Sequence, residues 1–277
     1  MDINEIRQKY HEFKYEVVRA CPICHAEHLY SHMGVSNPPL NIYTPYIACA
    51  QCGAVFQAVV MTEESHKEYY DKWYHLLTFG EDKIPPQESA RMKKRAEIQL
   101  KILKSKIGLP KSMLDFACGQ GWMGKKVERT VKYKGVDSSE VARTNKVCKA
   151  TIASSLAEVK DTFELILVSH ILEHVRQPVE FLKSLKPYLQ FGGTIMIDVP
   201  NRLTSPSAYG ISHIYAFDGN FLEEVINRAG LKAYKVATHG ANGDTEISMP
   251  FNLVAFCEVG KQVEIEKGTH GNTCKYR

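Results

Sequence analysis

Between Ser112 and Val199 the chain alternates short, continuous apolar runs with stretches of helical periodicity, and this alternation constrains the fold more than any other feature. The runs are Ser112 to Ala117, Tyr133 to Val136, Phe163 to Val168 and Thr194 to Val199; helices read at Met123 to Thr130, Ser139 to Val147 and Pro178 to Leu185. A strand that is apolar on both faces has to be covered on both, and a strand-helix repeat delivers a parallel sheet with helices on either side. Asp218 then caps a helix whose buried face is Phe221, Leu222, Val225, Ile226 and Ala229, with Gly230 as its stop. Strands near Leu231 to Thr238 and Asn252 to Val259 complete the sheet. None of these runs approaches the roughly 20 apolar residues that cross a bilayer, so no membrane span is expected.

Upstream, four of the eight cysteines stand in two knuckles, Cys21-Pro-Ile-Cys24 and Cys49-Ala-Gln-Cys52, separated by 24 residues. Met1 to Ala20 carries charge throughout and lacks the apolar run and cleavage site of a secretory signal, so the expected compartment is the cytoplasm. In a reducing compartment, cysteines at this spacing hold a metal more readily than they form disulfides. Four thiolates suit tetrahedral Zn²⁺ in a closed structural site, with no position left for substrate. The two-residue spacing lets both sulfurs of a knuckle face one ion, and Gly53 follows the second knuckle where a tight turn calls for glycine. Two unrelated reduced pairs are the plainer reading, and a redox pair lacks the strand-helix-strand context of thioredoxins.

Between these parts, Glu63 to Leu77 reads as a helix rich in aromatics, and Pro85-Pro86 marks a linker or hinge. From Gln87 to Ile107, Met92, Ala96, Leu100, Leu103 and Ile107 recur at helical spacing, and Gly108 and Pro110 end the helix. Lys83 to Lys111 holds nine Lys or Arg against two Glu, a local charge of +7 in a chain whose total is +4. A solvated helix face is the ordinary reading of such a run; a phosphate-binding surface is the other. The expected organisation is a zinc-binding module over 1–62, a helical connection over 63–110, a catalytic domain over 111–260 and a polar, poorly ordered tail over 261–277.

The chemistry is signalled by Met113-Leu-Asp-Phe-Ala-Cys-Gly-Gln-Gly121, a glycine turn between the first strand and a helix. Glycine there lets the backbone approach a ligand closely, and the helix beyond offers free N–H groups. Asp137 ends the second strand, 22 residues after Asp115, where a carboxylate accepts both ribose hydroxyls of a nucleoside. A nicotinamide enzyme is disfavoured because Gly119, Gly121 and Gly124 do not form the strict Gly-x-Gly-x-x-Gly pattern.

With Leu172-Glu-His-Val175 and Phe191-Gly-Gly-Thr-Ile-Met-Ile197, these stretches resemble the class I S-adenosylmethionine (SAM)-dependent methyltransferases over roughly Met113 to Lys235. The resemblance implies an α/β fold with a Rossmann-like, mostly parallel seven-stranded sheet. It also implies that Asp115 and the Ala117, Cys118, Gly119 and Gly121 backbone, with Trp122, surround the methionine part of SAM. Asp137 and Ser138 would take the ribose, Ser154 and Ser155 would lie near the adenine, and Ser169 and His170 would line the pocket. Ala117 stands where the family has glycine, which is compatible with cofactor binding if φ is negative there.

The stretch Tyr209-Gly-Ile-Ser-His-Ile-Tyr-Ala-Phe217 resembles a loop of deoxysugar C-methyltransferases, which also carry a four-cysteine zinc module and use the loop histidine as base. Ser212 replaces that family's Glu, and its additional C-terminal domain is not expected in this protein. The resemblance implies His213 as general base, with Tyr209 and His170 beside it and His174 as a packing residue. The expected activity is methyl transfer to a small polar acceptor, phosphate-bearing in one version: a sugar, a nucleotide-linked sugar or a natural-product intermediate. RNA methylation through the zinc module and basic helix is the second reading, and a non-catalytic SAM-binding scaffold the third.

Overall fold

The computed structural model describes residues 2–37, 40–240 and 251–259. The tail expected over 261–277 lies outside the described residues. The N-terminal part opens with helix α1 (Ile3–Glu12), started by Asp2 in a reciprocal capping box with Glu5. Strands β1 (Tyr15–Val17), β2 (Leu29–Asn37), β3 (Ile42–Cys49), β4 (Val55–Gln57) and β5 (Val59–Met61) follow. β2, β3 and β4 form one antiparallel sheet and β1 pairs with β5 in another. The stretch from Ala54 to Met61 forms two strands, broken at Ala58, because its halves serve different sheets.

The aromatic helix is interrupted as well. α2 (Glu63–Glu68) and α3 (Tyr74–Phe79) are joined by a π turn over Tyr69–Trp73. The extra residue in that turn accompanies crowded rings: Tyr69 is buried, and Tyr70 stacks on Tyr74 at 5.4 Å. Pro85 and Pro86 are the extended N-cap and first residue of α4 (Pro86–Lys106), where a missing N–H costs nothing. Its buried residues are Ala96, Ile98, Gln99, Ile102 and Leu103, a face broader than the expected stripe and centred one position earlier.

The central sheet is built from β6 (Ser112–Phe116), β7 (Lys132–Val136), β8 (Ile152–Ala153), β9 (Phe163–Ser169), β10 (Leu189–Pro200), β11 (Leu231–His239) and β12 (Asn252–Val259). Helices α5 (Trp122–Val127), α6 (Glu140–Thr144), α7 (Pro178–Leu185) and α8 (Gly219–Arg228) connect them. The order is β11-β12-β10-β9-β6-β7-β8, with β12 antiparallel to both neighbours and the other pairings parallel. This is the seven-stranded, mostly parallel sheet expected from the sequence.

Residues of β9 alternate between two cores: Leu165 and Leu167 face α4 and α5, while Ile166 and Val168 face α7 and α8. The second core does not stop at the catalytic domain. Cys21, Ile23, Cys49, Ala54, Phe56 and Val60 of the N-terminal part belong to the same buried cluster as Leu182, Phe221 and Val225. Burial of each such large apolar side chain contributes about 1.5 to 3 kcal/mol, so the two parts share their hydrophobic stabilisation.

Candidate active site

The two cysteine knuckles meet. Cys21 Sγ lies 3.5 Å from Cys52 Sγ, Cys24 Sγ lies 3.5 Å from Cys49 Sγ, and all four sulfurs fall within 4.8 Å of one another. Zn–S bonds of about 2.3 Å in a tetrahedron put sulfurs about 3.8 Å apart, so this spacing fits a single Zn²⁺. Each knuckle turns through a left-handed residue, His25 with φ 63° and Gly53 with φ 71°. Ile23 N donates to Cys21 Sγ at 3.4 Å. Burial opposes ionisation of Cys49, but hydrogen bonds from the Cys52 and Gln51 backbone and the neighbouring thiols bring it down to about 7.

The glycine turn wraps around Asp137 at the C-terminal edge of the sheet. Asp137 Oδ2 accepts from Gly119 N at 2.7 Å and Oδ1 accepts from Ser139 N at 2.9 Å. Each oxygen keeps a lone pair for a hydroxyl donor. Burial raises the Asp137 pKa, and those two backbone bonds oppose the rise. Ala117, Gly119 and Gly121 are all left-handed, with φ of 55°, 55° and 76°. The condition set for Ala117, a negative φ, is not met, because the chain must reverse between β6 and α5 within a few residues. A Cβ on Gly121 would meet Cys148 Sγ at 2.6 Å, which excludes larger residues there.

Asp115 is buried with Oδ2 accepting from Tyr133 Oη at 2.7 Å, and burial pushes its carboxyl up to about 7. Cys118 is half-buried beside the turn, and Trp122 Nε1 donates to Ser89 Oγ at 3.2 Å. Ser138 is exposed next to Asp137; Ser154 and Ser155 are exposed at the end of β8. Ser154 N and Oγ are both bonded to Glu158.

Ser169 and His170 end β9. Ser169 Oγ accepts from Gln99 Nε2 at 2.6 Å, and the same amide group reaches Asp198 Oδ2 at 2.6 Å. Asp198 also bonds His239 Nε2, 3.2 Å from either oxygen, so a buried polar network underlies this edge of the sheet. His170 is left-handed, with φ 51°, and its Nδ1 stands 3.4 Å from Glu173 Oε1.

His213 lies beside His174, ring centroids 4.7 Å apart, with its Nδ1 3.2 Å from the Ala208 carbonyl. Burial pushes its imidazole down to about 4, which leaves it neutral at pH 7. His174 Nδ1 approaches both the Ser212 carbonyl, at 2.8 Å, and Tyr70 Oη, at 2.9 Å. Tyr209 is further from the cluster: its hydroxyl is 3.1 Å from His32 Nε2 and its ring packs edge-on against Tyr46.

The N-terminal part grips this loop. Tyr46 Oη donates toward Gly210 O at 2.9 Å and His213 O at 2.5 Å, and Gln57 Nε2 donates to Gly210 O at 3.0 Å and Ile211 O at 3.1 Å. Gln57 N donates to Ile214 O at 2.9 Å and Ala216 N to Val55 O at 3.0 Å, so the loop is added as an edge to β4. Tyr46, Gln57, Tyr70, Gln99 and Glu173 carry this arrangement, and sequence reasoning did not select them. Glu173 was visible inside the Leu-Glu-His-Val stretch; the others had no local signal.

Against known proteins, the methyltransferase domain family matches residues 89–236, more than half of the chain. The ubiquinone biosynthesis O-methyltransferase of Parvibaculum lavamentivorans is 32% identical over 110 residues, covering 35% of this chain and 44% of that protein. Its counterpart from Ruegeria pomeroyi is 28% identical over 112 residues, covering 36% and 44%. The chain thus spans less than half the length of the curated relatives it matches. A putative O-methyltransferase from Nostoc punctiforme superposes with a TM-score of 0.46 at 22% identity, over 61% of this chain and 57% of that one. The glycine turn and Asp137 both lie inside the span matched by the family, and on that match the chain belongs to the methyltransferase domain family.

Proposed function

We propose that this protein transfers a methyl group from SAM to a hydroxyl oxygen of a small polar acceptor, such as a sugar, a nucleotide-linked sugar or a natural-product intermediate. The observation that carries the reading is the Asp137 carboxylate, held by Gly119 N and Ser139 N at the mouth of a left-handed glycine turn. That geometry suits a nucleoside ribose, and the family match supports methyl transfer. The names of the two curated relatives support oxygen as the methylated atom.

When bound, SAM supplies the methyl as an electrophile. The protein's work is then to align the acceptor and dispose of its proton. Asp137 anchors the ribose, and the backbone of 117–121 leaves room for the methionine portion. Ser169 and His170 border the methyl, with Gln99 fixing Ser169. Tyr46 holds the His213 backbone carbonyl and the Ala208 carbonyl takes His213 Nδ1, which supports a reading in which Nε2 is left to serve the acceptor's oxygen. The four thiolates would hold Zn²⁺, which supplies a cross-link that keeps β3 and β4 in register to grip this loop.

The test is SAM turnover, read as S-adenosylhomocysteine, against nucleotide sugars, hydroxylated small metabolites and bulk RNA. Turnover with a hydroxylated small molecule is the expected result. Tight NAD binding without SAM binding would overturn the reading, and turnover confined to RNA would move it to the nucleic-acid alternative.

A further inference from the structure

Glu173 is an anomaly in the acceptor half of the site. It is 1% exposed, and neither carboxylate oxygen has a hydrogen-bond partner among the described residues. Around it stand His174, whose Nε2 is 3.9 Å from Oε1, and His213; the three ligand atoms lie within 4.8 Å of one another. The proton positions on these rings follow from their other contacts. A carbonyl oxygen only accepts, so His174 Nδ1, 2.8 Å from Ser212 O, carries a hydrogen, and His213 Nδ1, 3.2 Å from Ala208 O, does too. A ring that carries only this hydrogen has a bare lone pair on Nε2.

Three lone-pair donors therefore converge in a buried space. The nearest proton-bearing candidate is His170 Nδ1, 3.4 Å from Glu173 Oε1 and without hydrogen-bond geometry. Arg95 and the neighbouring histidines bear on this carboxylate electrostatically, but none is hydrogen-bonded to it, and a buried carboxylate without hydrogen bonds is favoured by a cation set directly against it. Imidazoles that donate Nδ1–H to backbone carbonyls and present Nε2 are also the usual arrangement of metal-ligating histidines.

We propose that Glu173, His174 and His213 form a binding site for one divalent transition-metal ion, separate in place and chemistry from the four cysteines. Metal–ligand bonds of about 2.0 to 2.2 Å put ligand atoms about 3 to 3.5 Å apart, which small rotations of these side chains reach. Two imidazoles and one carboxylate select a first-row ion such as Mn²⁺, Fe²⁺ or Zn²⁺, and three protein ligands leave positions open. The oxygen of the acceptor takes one of them; this part of the inference rests on the methyl-transfer reading above. Bound to the ion, the hydroxyl loses its proton to water more readily, and His213 then acts as a ligand in place of the free base of the metal-free reading. Its oxygen forms the new bond to the methyl carbon while the carbon–sulfur bond breaks, the electron pair staying on sulfur.

The site is placed to do this. Tyr70, whose hydroxyl meets His174, belongs to the same helical stretch as His75, whose Nδ1 is 3.5 Å from Ser139 Oγ beside Asp137. One short segment thus spans the ribose carboxylate and the metal cluster.

Titration of the full-length protein with Mn²⁺, by calorimetry and electron paramagnetic resonance, tests the site directly, since Mn²⁺ avoids thiolate ligands. About one Mn²⁺ per chain is expected, with affinity reduced at least about tenfold in Glu173→Gln. SAM affinity should stay unchanged in the variant. His213→Ala is read in the same way if Glu173→Gln does not fold. Absence of Mn²⁺ binding, or equal binding by wild type and both variants, overturns the proposal. Mn²⁺ binding that depends on Glu173 in a protein without SAM binding would keep the metal site and refute the methyl-transfer reading.

Discussion

Asp137 and Ala117 show how single residues set the cofactor edge. Asp137 accepts two backbone N–H bonds and still offers lone pairs outward, so Asp137→Ala removes the turn's anchor and, on the function proposed above, the ribose acceptor. Loss of such charge-assisted bonds is worth roughly 1.5 to 3 kcal/mol, and calorimetry should report SAM affinity weaker by about 10- to 150-fold. An unchanged dissociation constant would remove Asp137 from the site. Ala117 is the opposite case, a residue in a conformation its side chain disfavours, at φ 55°. Glycine relieves a left-handed strain of about 1 to 2 kcal/mol, less the entropy glycine gains in the unfolded chain. Ala117→Gly should therefore raise the denaturant midpoint slightly and retain SAM binding; a drop in the midpoint would show that the turn has no such strain.

Among the elements, the loop between β10 and α8 depends on strands far from it in sequence. Tyr46 on β3 and Gln57 on β4 bond four times to its carbonyls, and Phe56 bridges Tyr215 in the same antiparallel contact. Tyr46→Phe keeps the ring packed on Tyr209 but leaves the His213 carbonyl without its Tyr46 donor and Gly210 N without its Tyr46 acceptor, a cost of about 1 to 3 kcal/mol. The expected kinetic signature is a fall in kcat/KM for the acceptor on the order of tenfold with SAM affinity unchanged. If SAM affinity fell in parallel, the loop would be serving the cofactor instead. The π turn at Tyr69–Trp73 belongs to this scale too, because it brings Tyr70 onto His174 while His75 reaches Ser139.

For the molecule as a whole, the cysteine cluster and the sheet are parts of one hydrophobic body. Cys21 and Cys49 are buried in the cluster that contains α7 and α8, so loss of zinc should be felt beyond the N-terminal part. We expect elemental analysis to find zinc that Cys49→Ser removes, since thiolate-bound zinc supplies folding free energy directly. We also expect wild type to melt in one transition that shifts down on chelation. Two separated transitions, with the sheet's melting indifferent to chelation, would contradict the shared core.

What the sequence determined alone was whatever depends on periodicity and spacing. Continuous apolar runs at 112–117, 163–168 and 194–199 demanded a sheet covered on both faces, and the helix Pro178–Leu185 and strand Asn252–Val259 were legible to the residue. The cysteine spacing implied that four sulfurs converge, and the glycine turn and Asp137, singled out together, do meet through the Gly119 N bond to Asp137 Oδ2. Tertiary structure decided what depends on residues distant in the chain. Glu173 looks like a motif residue until burial strips it of partners and two histidines close around it; one of them, His213, arrives from 40 positions away. Tyr46 and Gln57 look like ordinary strand residues until their sheet meets the 209–217 loop. A side chain's neighbours along the chain set its local conformation, but its charge state and partners depend on what packs against it, and that is settled only when the core closes.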